Sequence, residues 1–167
     1  MTAARPAVLN DWARLFAWRN DPATIATSIS GRAVTLAEHW KWFKRVLGSD
    51  ISTIGGTSLY VVVQEPTGHP IGTYRLDRAA KRRVEVSLTV CPLARGKRHA
   101  VAFVRLAILS AYQTIPSMHL VAIVSELNVA SLRAFASNGF VPSQRGDVVE
   151  MVKTDTGRMF AILERKL

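Results

Sequence analysis

Cysteine is almost absent from this 167-residue sequence, in which Cys91 is the only one. One thiol cannot form an intrachain disulfide and supplies too few ligands for a structural zinc site. The sequence has no apolar run of membrane-spanning length, and its first residues, Met-Thr-Ala-Ala-Arg-Pro, lack the apolar core of a signal peptide. We therefore expect a cytoplasmic protein with no metal and no membrane contact.

Acidic residues are also scarce. The chain has 12 of them against 22 lysines and arginines, which gives a net charge of +10. Such a charge attracts phosphate-rich partners, from nucleotide-like molecules to RNA. With 49% hydrophobic and 20% charged residues, the composition is that of a globular protein. The length fits one domain, so we expect a single domain over residues 1–167.

The segment Val84–Ala100 combines a strand, a basic loop and a helix start. Apolar residues alternate along Val84–Val90, which predicts a strand, and Pro92 ends its pairing because proline has no N–H. A helix is predicted from Ala100 to about Gln113. Free N–H groups and the positive end of the dipole make such a helix start a binding site for phosphate. The loop adds three cations: Arg95, Lys97 and Arg98.

A second informative segment is Asn128–Phe140. Asn128 is a suitable N-cap for a helix predicted over Val129–Asn138, and Gly139 is a suitable residue just beyond its C-terminus. Phe140 begins the next apolar strand. The buried strand predicted at His119–Val124 comes before this helix.

The remaining segments complete an alternation of helices and strands. We predict a short strand at Arg5–Val8, helices at Leu9–Asn20 and Leu36–Leu47, and strands at Leu59–Gln64, Ile71–Leu76, Val148–Thr154 and Arg158–Leu163. The turn residues Asp155-Thr156-Gly157 join the last two strands in a hairpin. This order predicts an α+β fold with a mixed, mostly antiparallel central sheet flanked by helices.

Both informative segments resemble motifs of the GNAT N-acetyltransferase superfamily. The loop is similar to the family's acyl-CoA motif, Arg/Gln-x-x-Gly-x-Gly/Ala, with Arg95 and Ala100 at its ends. Arg98 departs from the motif, because glycine usually stands there. Residues 128–140 are similar to the family's Asn-x-x-Ser-x-x-x-Tyr/Phe-x-x-x-Gly-Phe segment. The resemblance implies a twisted sheet, splayed at the acyl-CoA-binding strand.

The N-terminal third resembles one branch of this superfamily through Trp18-Arg19-Asn20-Asp21-Pro22 and His39-Trp40-x-Trp42-Phe43. That branch includes ribosomal-protein N-terminal acetyltransferases and acetyltransferases of nucleotide-activated amino sugars. The resemblance implies that the acceptor is the amine of a nucleotide-linked amino sugar. Two further functions stay open: acetylation of a ribosomal or other protein N-terminus, and a non-catalytic module that binds acyl-CoA or nucleic acid.

The resemblance also implies the mechanism and the residues that carry it. Acetyl-CoA is the co-substrate, transfer is direct within a ternary complex, and Glu85 is the general base, acting through a water. The implied cofactor-binding residues are Leu88, Val90, Arg95, Gly96, Lys97, Arg98, His99, Ala100, Asn128 and Ser131. The implied substrate-binding residues are Arg19, His39 and Trp40. The expected assembly is a monomer or homodimer that binds a small-molecule amine, with no nucleic acid partner.

Each of these residues could instead have a purely structural role. Glu85 could pair with Arg82 or Arg83 at the surface, and Arg19 could pair with Asp21 or Glu38. Asn128 could cap the helix that follows it. His39 could occupy a half-exposed helix position, and Trp40 could pack in the core.

The acid that protonates the leaving thiolate is not evident in the sequence. Many family members have a tyrosine where this chain has Phe135, which cannot donate a proton. Ser131, Ser137, Tyr112 or water could protonate the thiolate instead.

Overall fold

The computed structural model of the protein describes residues 1–145 and 147–153. Its strands are β1 (Thr2–Pro6), β2 (Thr57–Gln64), β3 (His69–Ala80), β4 (Arg83–Val90), β5 (His119–Ser125), β6 (Phe140–Arg145) and β7 (Val148–Lys153). Its helices are α1 (Trp12–Arg19), α2 (Pro22–Thr27), α3 (Leu36–Leu47), α4 (His99–Thr114) and α5 (Val129–Ala136). The architecture is the predicted α+β fold. Within the described part of the chain, no helix has the length and apolar character needed to cross a membrane.

The described strands form one sheet in the order β1-β2-β3-β4-β5-β7-β6. Neighbouring strands are antiparallel except β4 and β5, which are parallel and pair only over Arg83–Glu85 with His119–Val121. Beyond Glu85, β4 stays paired with β3 as far as Val90, while β5 pairs with β7. The sheet therefore opens between β4 and β5, which confirms the predicted splay.

Helices cover both the opened strand and its neighbours. α1 packs against α3 and β4, and α3 packs against β2. The apolar helix α4 packs against β3, β4 and α5. Gly72 allows α4 to approach the sheet closely, because a Cβ on Gly72 would lie 2.2 Å from Cε2 of Phe103 and 2.4 Å from the Thr89 carbonyl oxygen.

A buried ion pair fixes the start of the chain. Both carboxylate oxygens of Asp11 accept hydrogen bonds from Arg5 at 2.8 Å, and one of them also accepts from the Val8 N–H at 2.9 Å. Burial by itself raises the pKa of Asp11, but these donors hold that pKa below its ordinary value. The pair ties the end of β1 to the first turn before α1.

This contact explains two differences from the sequence-based prediction. The first strand is Thr2–Pro6 rather than Arg5–Val8, because the chain leaves the sheet where Asp11 binds Arg5 and Val8. The predicted helix Leu9–Asn20 begins as a 3₁₀ turn at Leu9–Asp11.

Most of the remaining predicted elements are confirmed with small shifts, and one was missed. α3 has the predicted bounds, and its Thr35 cap forms a capping box with Glu38. The short helix α2 was not predicted, although Asp21 caps it and Pro22 occupies its first turn. The predicted strand Arg158–Leu163 and the turn Asp155-Thr156-Gly157 lie outside the described residues, as does Thr154.

We expect Gly72→Ala to destabilise the fold by roughly 2–4 kcal/mol, because the new methyl group overlaps both a buried ring and a strand carbonyl. Gly48→Ala is the matched control. No atom lies within 4 Å of a Cβ there and the backbone φ is −94°, so we expect a change below about 0.5 kcal/mol. Urea unfolding of both variants measures the difference, and equal stabilities would contradict this packing argument.

Candidate functional site

The opened half of β4 leads directly into the basic loop. β4 pairs with β3 up to Val90, and the Cys91 N–H then donates to the Ile71 carbonyl at 2.8 Å. A 3₁₀ turn at Pro92–Ala94 follows, and α4 begins at His99. The backbone of residues 86–90 on the β5 side therefore has no strand partner in the described sheet. Its unpaired N–H and C=O groups can bind an extended ligand as a further strand would.

The loop keeps the conformation that glycine favours, although Arg98 occupies the usual glycine position. Gly96 has a φ of 77°, and Arg98 has a φ of 59° with a ψ of 17°, in the left-handed region. Among the described residues, Arg98 is the only non-glycine residue with a positive φ. Arg98 is also the N-cap of α4, and its side chain caps no N–H group. The first N–H groups of α4 therefore lack a side-chain acceptor and are available to an anion.

Arg95 holds this loop against the N-terminal part of the chain. Its Nη1 lies 2.6 Å from a carboxylate oxygen of Asp21, and its Nη2 donates to the Thr24 hydroxyl at 2.7 Å. The hydrogen bond from Arg95 is the main reason that the pKa of Asp21 lies below its ordinary value. The guanidinium of Arg95 thus binds the cap of α2. Lys97 and Arg98 are exposed and form no ion pair with a described residue.

Glu85 of β4 is the register partner of Asp77 on β3, so the two side chains share one face of the sheet, and Glu85 is half-buried. Burial is the largest cause of its raised pKa, and the charge of Asp77 adds to the effect. The structural role considered for it, an ion pair with Arg82 or Arg83, does not form, because Arg83 binds Glu150 of β7 at 2.5 Å. Glu85 makes no hydrogen bond or ion pair with a described residue, so its carboxylate is available to a substrate or a water.

A cavity of about 360 Å³ adjoins the face of the sheet that carries Glu85. Its walls come from α1, α3, the segment between α2 and α3, and strands β2, β3 and β4. β4 contributes Ser87, Leu88 and Thr89 to this lining. Ser87 follows Glu85 by two residues on the same strand face, so the two are about 7 Å apart along the strand. Glu85 itself lies just outside the lining.

Three arginines line the cavity, and two of them have carboxylate partners. Arg32 binds Glu38 at 3.0 Å, and Arg75 binds Asp77 at 2.6 Å. Arg19 pairs with neither Asp21 nor Glu38, which removes the structural role considered for it. Its Nη2 donates to the Ser30 hydroxyl at 2.8 Å and to the Arg32 carbonyl at 3.2 Å. Its Nη1 is buried and has no acceptor among the described residues.

His39 lines the same cavity and is buried, with 4% of its surface exposed, so it does not occupy a half-exposed helix position. Its Nε2 lies 3.2 Å from the Trp12 carbonyl oxygen, and a carbonyl only accepts, so Nε2 carries the proton. Burial lowers the pKa of His39. Burial therefore favours the neutral ring, in which Nδ1 is the acceptor atom.

The structure places Trp40 outside the cavity lining and Trp42 within it. Trp40 packs edge-on against Trp12 with ring centroids 5.5 Å apart, and the ammonium of Lys44 lies over its ring. In a helix, residues three apart share a face, so Trp42 joins His39 while Trp40 turns away. Helical spacing in the sequence contains this distinction. Ser87 and Thr89 follow Glu85 by two and four residues on the predicted strand, so strand periodicity places them on its face. Neither residue was identified from the sequence.

The later segment has the local geometry that its sequence predicts. The side chain of Asn128 caps α5, since its Oδ1 accepts from the Ser131 N–H at 3.1 Å. Phe135 is 1% exposed and packs against Phe140, with ring centroids 5.0 Å apart. Ser137 donates its hydroxyl proton to the Arg133 carbonyl at 2.8 Å. Phe135 is therefore core, and Ser137 is occupied within its own helix.

Comparison with known proteins gives matches to one family. A family model described as "Acetyltransferase (GNAT) domain" matches residues 3–141. No curated protein sequence gives a significant match.

Similar solved structures include spermidine N-acetyltransferase from Vibrio cholerae in complex with CoA and spermine. That match has a TM-score of 0.79 and 15% identity, and covers 93% of this chain and 97% of that one. AAC(6')-Ib in complex with ribostamycin and coenzyme A has a TM-score of 0.73 and 17% identity, covering 92% and 93%. YncA from Salmonella typhimurium with acetyl-CoA has a TM-score of 0.72 and 19% identity, covering 93% and 95%. At these identities, the likeness shows the fold.

We expect Arg98→Gly to be more stable than Arg98→Ala by about 1 kcal/mol, because glycine adopts the left-handed conformation without the steric cost that a Cβ brings. Both variants lose the same guanidinium, so their difference isolates the backbone effect from the charge. Urea unfolding measures it. If Arg98→Ala is as stable as Arg98→Gly, the left-handed backbone conformation at residue 98 is contradicted.

Proposed function

The chain belongs to the GNAT acetyltransferase family, and from this premise we propose that it transfers the acetyl group of acetyl-CoA to a primary amine of a small molecule. The observation that carries the proposal is the opening of the sheet beyond Glu85. It joins the anion-binding start of α4 to a cavity on the face that carries Glu85. A donor and an acceptor can therefore meet at β4 in a ternary complex.

In this proposal acetyl-CoA binds along the open edge of β4 and the start of α4. The diphosphate of acetyl-CoA binds the free N–H groups at the start of α4, with Lys97 and Arg98 supplying positive charge. The amide groups of the pantetheine arm pair with the open backbone edge at Leu88 and Val90. His99 and Ala100 contribute backbone N–H groups. In this arrangement Arg95 is a positioning residue, because its guanidinium binds Asp21.

The reaction needs an amine without its extra proton. Glu85 accepts that proton through a water, because its half-buried, unpartnered carboxylate has a raised pKa and is a stronger base than an ordinary glutamate. The amine lone pair then attacks the thioester carbonyl carbon. Backbone N–H groups near Val90 stabilise the developing oxyanion. When the oxyanion re-forms the carbonyl, the C–S bond breaks, and the nitrogen, positively charged after the attack, gives up a second proton to water, so that the products are the acetylated amine and the thiolate of CoA.

The leaving thiolate does not require a tyrosine acid. Phe135 is apolar and part of the core, so this chain has no acid at that position. Thiols are acidic enough that the thiolate leaves readily, and water then supplies its proton. The loss of a dedicated acid therefore costs less in this reaction than it would for an alkoxide.

The acceptor that we propose to test first is a nucleotide-linked amino sugar. The cavity volume lies within the usual range for small-molecule sites, and its lining combines Trp18 and Trp42 with arginines. Aromatic rings stack on sugars and bases, and arginines bind phosphates. A protein N-terminus would need a groove for an extended chain, and a non-catalytic module would need no base beside the cavity.

Calorimetric titration with acetyl-CoA, using desulfo-CoA and 3',5'-ADP as controls, tests the cofactor site. We expect saturable binding of acetyl-CoA at micromolar concentration. An acetylation assay with UDP- and TDP-linked amino sugars, with an N-terminal peptide as comparison, tests the acceptor. Preference for the peptide would overturn the small-molecule assignment. Binding of RNA without any acetyl transfer would overturn the enzyme.

We expect Glu85→Gln to lower kcat by roughly 100- to 10,000-fold while acetyl-CoA affinity stays unchanged, because the amide cannot accept the proton. Since the base must be deprotonated, activity falls as the pH drops through its pKa. The raised pKa of Glu85 places this acidic limb of the kcat/KM profile above the ordinary glutamate value of 4.5. The limb should be missing in the variant. Unchanged turnover would exclude Glu85 as the base.

We expect Asp21→Asn to weaken acetyl-CoA binding by about two- to fivefold, because Arg95 loses the partner that holds the loop in place. Asp50→Asn is the control, since it changes an exposed carboxylate that bonds only to nearby Ser52. Calorimetric affinities for acetyl-CoA compare the two variants. Equal affinities would show that the Arg95 contact does not position the loop.

A further inference from the structure

The cavity has one positive charge that no described residue neutralises. Arg32 and Arg75 are each paired with a carboxylate, whereas Arg19 has no acidic partner among the described residues. The two acids that the sequence suggested as its partners are already engaged, since Asp21 binds Arg95 and Glu38 binds Arg32. An acidic group that enters the cavity therefore meets a cation that forms no ion pair, because the carboxylate of Glu38 in the same lining is bound to Arg32.

The guanidinium of Arg19 is held in place but is only partly satisfied. Its five N–H donors make two hydrogen bonds, both from Nη2, to the Ser30 hydroxyl and the Arg32 carbonyl. The donors on Nε and Nη1 have no acceptor in the described part of the chain. Nη1 is also buried, so bulk water does not replace a protein acceptor there. What the site lacks is a hydrogen-bond acceptor with negative charge.

The β4 side of the site carries a negative charge, that of Glu85. Glu85 lies two residues before Ser87 on β4 and forms no ion pair with a described residue, because the nearby Arg75 and Arg83 bind Asp77 and Glu150. An ammonium group is favoured near this carboxylate and disfavoured near Arg19. The polarity therefore sets the orientation of the acceptor, with its amine towards Glu85 and its negative end towards α1.

Building on the proposed acetyl transfer, we infer that the acceptor is a primary amine that also carries a carboxylate or phosphate group, and that Arg19 binds this group. The class includes amino acids and amino-sugar phosphates as well as nucleotide-linked amino sugars. Polyamines and aminoglycosides carry only positive charge, so Arg19 repels them. Arg19 thus determines specificity by its charge and takes no part in proton transfer.

Matched acceptors test the inference. Glucosamine and glucosamine 6-phosphate share one amine and differ by a phosphate, and an amino acid and its amide differ by a carboxylate. We expect kcat/KM to be about 10- to 100-fold higher for the anionic member of at least one pair, with the effect mainly in KM. The pair that shows it identifies the group as phosphate or carboxylate. UDP-linked glucosamine and spermidine complete the panel.

Variants connect this preference to Arg19. In Arg19→Gln we expect the preference to shrink to about twofold or less while acetyl-CoA affinity is retained, and in Arg19→Lys we expect a partial preference. Arg14→Gln is the control, since Arg14 lies on the same helix outside the cavity lining, and it should keep the full preference. Equal use of neutral and anionic amines, or an undiminished preference in Arg19→Gln, would overturn the inference.

A binding measurement separates this inference from the proposed reaction. If the wild-type protein acetylates none of these amines, the proposed function fails, and the anion site is then tested by calorimetry with glucosamine 6-phosphate against glucosamine in the presence of desulfo-CoA. Tighter binding of the phosphate, lost in Arg19→Gln, supports the anion site without catalysis. Equal binding of the two compounds overturns it.

Discussion

The rest of the structure depends on the point where β4 loses its pairing with β5. Parallel pairing ends at Glu85, while β4 continues for five residues along β3. This one interruption leaves an open backbone edge beside α4 and sets Glu85 at the last paired position. The neighbouring face, with Ser87 and Thr89, borders the cavity. The open strand edge, the position of Glu85 and the neighbouring cavity, to which we assign the cofactor, the base and the acceptor, therefore all depend on the same break in hydrogen bonding.

A short N-terminal segment links the two halves of this arrangement. Arg19 lines the cavity, and two residues later Asp21 binds Arg95 in the loop before α4. Because Asp21 also caps α2, the same carboxylate fixes both a helix and the basic loop before α4. The contact between Arg95 and Asp21 therefore joins the loop to α2, which follows the helix that carries Arg19. Segment 18–22 thus contributes both to the cavity lining, through Trp18 and Arg19, and to the contact with the loop, through Asp21.

The sequence predicted the parts of the fold that depend on local pattern. Alternation predicted β4, capping residues predicted α3 and α5, and the motif resemblance predicted the splay, while the cofactor-binding role of the loop remains a prediction. Predictions that depend on tertiary pairing were less successful. No local pattern reveals that Arg95 binds Asp21, because the partners are 74 positions apart in the chain (95 − 21). The cavity, too, exists only after six separate segments meet, so its arginines could not be sorted into paired and unpaired.

The ion pairs show where many of the few acidic residues are used. With 12 acids for 22 bases, acids that lie beside arginines are consumed in ion pairs that hold elements together. Among the described residues, those pairs are Arg5–Asp11, Arg14–Asp11, Arg32–Glu38, Arg75–Asp77, Arg83–Glu150 and Arg95–Asp21. Neither the guanidinium of Arg19, in the cavity lining, nor the carboxylate of Glu85, beside that lining, forms an ion pair with a described residue, and both are partly buried. Because unpaired charges are costly inside a protein, a substrate that carries both an amine and an anion would stabilise both groups at once.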